Sequence, residues 1–300
     1  MTLASCDSRK TAGENPFFTQ WDTPHGVPPF DKILPEHFMP AFERGMSLHE
    51  AEIDAITSNK DEASFENTIL AYDNAGQMLA QAELVFGMLC AAETNDRMQA
   101  LQEQAMPLLA AHRDKIRLDD KLFARVKEVY DRRAALGLDT EQMRLLQKTY
   151  DSFVRAGALL GTEQKARLKE INGQLSLTAV KVGNNILAEN NNFVLELKSD
   201  ELDGLPAGIR DAAREKARQM GKGDKWVFTL HKPSLIPLLT YSTRRDLREK
   251  IYKAYLNRCN NGDEYDNKQL INDFIRLRTE KAHLLGYPSY AAYVVADEMA

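Results

Sequence analysis

The nearest approach to catalytic chemistry in the chain is His49-Glu50-Ala51-Glu52-Ile53. A zinc-peptidase helix places two histidines four residues apart, so that both imidazoles leave one face and hold one ion while the glutamate between them activates water. Here Ile53 stands at the second ligand position, so the pattern predicts no metal site and leaves His49 as a surface or boundary residue. His25, His37, His112, His231 and His283 are scattered over further segments without ligand spacing. Gly221-Lys222-Gly223-Asp224-Lys225 lacks the spacing of a phosphate loop and leaves a helix instead of opening one, so it is read as a tight turn. No G-x-S-x-G elbow occurs, and Asp263, Glu264 and Asp266 fall on a loop between helices, where solvation is the simplest account. Residue types and spacing alone assign no catalytic, metal-ligating or substrate-binding position.

Cysteine is sparse: Cys6, Cys90 and Cys259 form neither a disulfide framework nor a zinc-binding pair. Cys90, in the apolar run from Val85, reads as a small buried hydrophobe, and Cys259, ending a helix beside Asn260, as inert. Cys6 differs, because Leu3-Ala4-Ser5-Cys6 has the form of a bacterial lipobox and Asp7 to Asn15 supplies a polar spacer. Only Met1 and Thr2 precede it, so the basic and apolar parts of a signal peptide are missing. Two readings stay open. Either Cys6 carries a lipid anchor in the natural precursor, which implies a bacterial cell-envelope or periplasmic lipoprotein, or the match is chance and the protein is cytoplasmic.

The elements that must position such residues are helical. With 300 residues, 43% hydrophobic and 28% charged, the chain has the composition of a soluble globular protein with a sizeable core. Its net charge of −5 gives no electrostatic reason to expect nucleic acid, and the pairs Arg132-Arg133 and Arg244-Arg245 are interleaved with acids. No run of about 18 apolar residues suggests a transmembrane helix.

Residues 1–14 are polar and expected to be disordered. Residues 15–34 carry Phe17, Phe18, Trp21 and Phe30 among Pro24, Pro28 and Pro29, which predicts an extended aromatic arm packed on the body. Residues 35–300 are expected to be a helical region that is incomplete at its C-terminus. Phe38, Phe42 and Met46 step by four, and Phe65 to Ala92 reads as one long helix with a seam at Phe65, Ile69, Tyr72, Leu79, Phe86 and Leu89. Helices follow over 95–118, 119–136, 139–156 and 161–189, with Asp139 and Gln142 as a start signal. Phe193–Leu197 and Trp226–Leu230 read as two short strands that pair, with a helix over 207–220 between them. From Ser242 the pattern gives three helices, the first opened by a capping box at Thr243 and Asp246. The last reaches Ala300 without a closing signal, so the segment reads as the front part of something longer.

Several stretches together resemble one family, the zinc oligopeptidases that include thimet oligopeptidase, oligopeptidase A and peptidyl-dipeptidase Dcp, with the Dcp type most similar. They are Pro28–Ile33, Phe38–Glu43, Phe65–Ile69, Thr94–Asp96, Phe153–Ala158, Trp226–Leu230 and Arg276–Gly286. The resemblance implies an all-α, long-helix bundle with a minor two-stranded β element, forming the N-terminal half of a channelled, zincin-like oligopeptidase. It implies zinc as the cofactor of the full-length parent, held by an H-E-x-x-H helix in the C-terminal catalytic half. No position here matches that motif, so this chain alone is expected to bind no zinc and to be inactive. The implied activity is release of dipeptides from the C-termini of short peptides, with a metal-bound water attacking the carbonyl. Two alternatives remain: an internally cleaving oligopeptidase of the same family, and a non-enzymatic helical scaffold or binding protein.

Overall fold

A computed structural model of the protein describes residues 15–299. The chain forms two compact units, one of residues 1–177 and 278–300, the other of residues 178–277. Both are helical, and the two-stranded sheet of the second is the β structure found among the described residues.

The first unit is organised on α1 (Phe38–Ser58). Its stripe of Phe38, Ala41 and Phe42 is buried, as a four-residue step on one helix face requires. A Cβ on Gly45 would lie 3.0 Å from the Leu79 backbone, so this glycine sets the close approach of α1 to α3 (Gln77–Ala92). Phe86 of α3 completes an aromatic cluster, its ring centroid 4.9 Å from Phe38 and 5.3 Å from Phe42. Residues 15–34 deliver Phe17 to the same cluster and hold two 3₁₀ turns, Pro16–Phe18 and Pro24–Gly26, and a third, Pro35–His37, leads into α1; each is begun by a proline whose fixed φ suits a first helical position. Phe17 is buried, Phe18 and Trp21 are half-buried, and Phe30 stays 40% exposed, so three of the four aromatic rings find cover.

The expected single helix from Phe65 to Ala92 is broken. A π-helical turn, Phe65–Leu70, runs into α2 (Ala71–Asp73), and Gly76 then adopts φ +74° before α3 begins. Two groups on α1 hold the break: Glu52 Oε2 accepts from the Gly76 N–H at 2.7 Å, and the His49 ring fills the space a Cβ would need, 2.9 Å away. Phe65, Ile69, Leu79 and Phe86 still reach the core. This stretch is also apolar enough to pass as a membrane span, with a mean hydropathy of 1.2. It is interrupted by the turn at Gly76 and buries one seam in the core, while Leu84 and Met88 on its other side remain 69% and 56% exposed.

A second cluster joins α4 (Asp96–Arg117), α5 (Asp120–Asp131) and α6 (Thr140–Ala156) to the π turn through Ile116, Leu122, Phe123, Val126, Leu146 and Phe153. Each helix has a side-chain cap. Asn95, Asp119 and Asp139 accept from the third backbone amide beyond them, and Gln142 returns the bond to Asp139 as the sequence suggests. The connection 59–64 is tied down by Arg125, which donates to the Asn59 and Asp61 carbonyls, and by Arg132, which reaches Glu62 and the Ala63 carbonyl.

The chain enters the second unit within α7 (Thr162–Asn192) and leaves it within α11 (Lys268–Leu284). Here β1 (Leu195–Leu197) pairs antiparallel with β2 (Trp226–Phe228), Glu196 standing opposite Val227. Leu195, Leu197 and Phe228 are buried with Ala213 of α8 (Ala207–Gln219) and with leucines from α9 (Lys232–Tyr241), α10 (Arg245–Leu256) and the connections.

The capping box expected at Thr243 does not form. The Thr243 hydroxyl donates to Asp203 at 2.5 Å, Asp246 is paired with Arg244, and α10 starts at Arg245. The cause is Gly204, which at φ +82° lies so close that a Cβ would meet the Tyr241 carbonyl at 2.2 Å, drawing residues 203 and 243 together. Helix α9 had no counterpart in the sequence reading, because Pro233 and Pro237 mask it. The final helix, α12 (Tyr290–Val295), belongs to the first unit and has no fully buried residue. It is clamped to α6 by Arg155, which donates to the Tyr293 carbonyl at 2.8 Å, and by the 2.5 Å Lys148–Asp297 pair.

Candidate functional site

Ile53, the residue at the second ligand position of the imperfect zinc motif, points into the core and is 4% exposed. His49 and Glu50 of that segment turn toward α4, and Glu52 toward the Gly76 break. His49 Nδ1 lies 3.0 Å from His112 Nε2, and His112 Nδ1 lies 3.4 Å from Glu50 Oε1. The second oxygen of Glu50 is 2.9 Å from Lys115 Nζ. This carboxyl is held below its usual range, chiefly by the Lys115 hydrogen bond. Burial lowers both imidazoles, with His112 adding to the effect at His49 and Glu50 opposing it at His112. His49 is therefore a half-buried boundary residue, as the sequence allowed, and belongs to a polar cluster that the sequence did not show. Sequence reasoning missed this partner because 63 residues separate the two rings.

A second polar group lies under α11. Asn172 donates to Asp114 at 2.8 Å and accepts from Lys281 Nζ at 2.7 Å, so one amide links α4, α7 and α11 within the first unit. Burial lowers the Lys281 ammonium and raises the Asp114 carboxyl. The arrangement holds a lysine and a carboxylate in partial desolvation, which is costly unless both are hydrogen-bonded.

The remaining sequence candidates among the described residues are structural. Cys6 lies outside the described residues. Cys90 is half-buried, with its thiol pushed up by burial. Cys259 is buried at φ +56°, beyond the end of α10, and burial together with Glu189 raises its thiol to about 11. Gly221 (φ +71°) closes α8, the Lys222 N–H returning to the Ala217 carbonyl at 2.8 Å, which is a helix stop and not an anion cradle. Asp266 departs from the solvated reading. Its side chain is 15% exposed and accepts from the amides of Gly262 and Lys268, ordering the loop before α11. Among the described residues no group of three or more His, Cys, Asp or Glu could hold a metal ion, so the residues present do not fit a catalytic zinc.

Residues 238–300 match the Peptidase family M3. Nearly the whole chain aligns with the dipeptidyl carboxypeptidase of Escherichia coli K12, 38% identical over 287 residues that make up 95% of this chain and 42% of that protein. Oligopeptidase A of the same organism is 27% identical over 283 residues, 93% of this chain and 42% of the relative. A thimet-like oligopeptidase from Dictyostelium discoideum is 23% identical over 262 residues, 86% and 37% of the two chains. The chain is similar to these peptidases over nearly its whole length, and to the M3 family model over residues 238–300. It spans about two fifths of the length of these relatives, and its helical architecture agrees with the resemblance seen in its motifs.

Proposed function

We propose that this chain is the N-terminal, substrate-channel half of a zinc metallopeptidase that releases dipeptides from the C-termini of short peptides. The observation that carries this reading is the difference in identity, 38% to a dipeptidyl carboxypeptidase against 27% to an oligopeptidase A over nearly the same residues. On this reading the zinc and its ligands come from sequence outside these 300 residues, and helices of the kind described here limit access to short, unfolded peptides. The partners are then the catalytic half and peptide substrates. Exposed apolar side chains such as Leu84, Met88, Ile271 and Ile275 suit a protein with further surface to cover. The lipobox reading places a lipid anchor on Cys6 of the precursor and the protein in a bacterial envelope.

The test is product analysis of the protein expressed from the uninterrupted gene, on peptides with free and amidated C-termini. Loss of cleavage on amidation is expected, because a dipeptidyl carboxypeptidase needs the free carboxylate. Equal cleavage of both would favour an internally cutting oligopeptidase. No cleavage of either by a zinc-loaded, folded protein would favour the scaffold reading.

A further inference from the structure

Helices α1 and α4 and the turn at Gly76 meet at two histidines that share one hydrogen bond. The His112 side chain is 3% exposed, so solvent cannot take over its hydrogen bonds while the joint is closed. Its Nδ1 is buried and faces Glu50 Oε1 at 3.4 Å, while its Nε2 faces His49 Nδ1 at 3.0 Å. That contact accommodates one hydrogen between the two nitrogens. With two neutral rings, or with one extra proton on the outer nitrogen of His49, a lone pair still faces an N–H. With both rings protonated, two N–H donors oppose each other inside a packed joint. The same His49 ring fills the space beside Gly76, and Glu52, three residues on, accepts from the Gly76 amide. Ring displacement would therefore be transmitted to the start of α3.

We propose that the His49–His112 pair is a proton-operated latch, closed while the rings share a single N–H and opened when both are protonated, freeing the Gly76 turn from α1. The charged groups facing the pair are Glu50 and Glu52 on α1 and Arg113 and Lys115 on α4. The acids favour the first proton, and the two cations oppose a second. Burial lowers both rings, so the sign is fixed: the closed state is favoured at and above the ordinary imidazole value of about 6.5 and is lost as pH falls below it. The open form takes up one proton more than the closed form, so opening rises about tenfold per pH unit in that range.

The test is amide hydrogen exchange on the full chain between pH 7.5 and 5, expressed as protection relative to the intrinsic rate. Protection at Gly76 and at the facing turns of α1 and α4 is expected to stay level above about pH 6.5 and to fall about tenfold per unit below it. His49→Gln keeps a side chain that can turn either a donor or an acceptor toward His112, so the fall is expected to vanish there. Should that variant not fold, His112→Gln serves in the same way, and ring-nitrogen spectra of the wild type report the two protonations directly. Flat protection at Gly76 in the wild type would overturn the latch. So would an unchanged tenfold slope in the glutamine variant, or full protonation of both rings with Gly76 still protected.

Discussion

The two units are built from different side chains. The first packs seven buried phenylalanines into its two clusters: Phe17, Phe38, Phe42, Phe65, Phe86, Phe123 and Phe153. The second buries a single one, Phe228, among eight leucines. Their charges differ as well. By sequence the first unit has 22 Lys and Arg against 30 Asp and Glu, and the second has 17 against 14. The whole-chain charge of −5 thus averages an acidic unit and a mildly basic one, whose cations are dispersed in pairs such as Lys222–Glu196, Arg244–Asp246 and Lys253–Glu249. Large rings suit long helices, where one side chain per turn must bridge two axes about 8–10 Å apart. The short strands, α9, α10 and the connections of the second unit are filled by leucine instead.

The comparison breaks most readily at its cores. Phe38→Ala should cost about 3–5 kcal/mol and Leu238→Ala about 2–5 kcal/mol, since both side chains are fully buried. Denaturant titration gives the totals, and hydrogen exchange shows where they act. Loss of protection confined to the unit that carries the substitution supports two separable cores. Equal loss in both would show one cooperative body.

Next come the glycines at left-handed positions. Gly204→Ala in the second unit should cost at least about 2 kcal/mol, because the new Cβ meets backbone oxygen as well as unfavourable φ. Gly76→Ala in the first should cost about 1–2 kcal/mol, its neighbour being a histidine ring that can shift. Gly87→Ala, in α3 with open space around it, should stabilise by about 0.5–1 kcal/mol. Thermal melts of the three variants give the order, and a Gly204 variant milder than the Gly76 one would contradict the packing account.

Smaller again is Asp139→Ala, which removes the reciprocal cap of α6 and should cost about 1 kcal/mol by denaturant titration. The smallest effect is chemical. With its thiol raised to about 11, only about one Cys259 in a thousand should be ionised at pH 8, so alkylation of the folded chain should reach Cys90 before Cys259. Rapid labelling of Cys259 in the native state would show that the loop around Glu189 opens readily.

The first unit was far more legible in the sequence than the second. Steps of three and four at Phe38, Phe42, Phe65 and Ile69, and the Asp139–Gln142 signal, are local and survive folding because each is satisfied within one or two turns. The break at Gly76 was not legible, since the groups that hold it, Glu52 and His49, lie 24 and 27 residues away. In the second unit Thr243 and Asp246 had the right spacing for a cap, but Asp203 and Arg244 are the partners they take. Local rules lose where a tertiary neighbour offers a shorter bond. The polar clusters were hidden for the same reason: His49 with His112, and Asp114 with Asn172 and Lys281, meet only when distant helices pack.

The most direct test of the functional account is the zinc content and peptidase activity of the purified 300-residue chain. The account predicts no stoichiometric metal and no chelator-sensitive cleavage of short peptides. One zinc per chain at a protein site, with cleavage abolished by chelation, would contradict it.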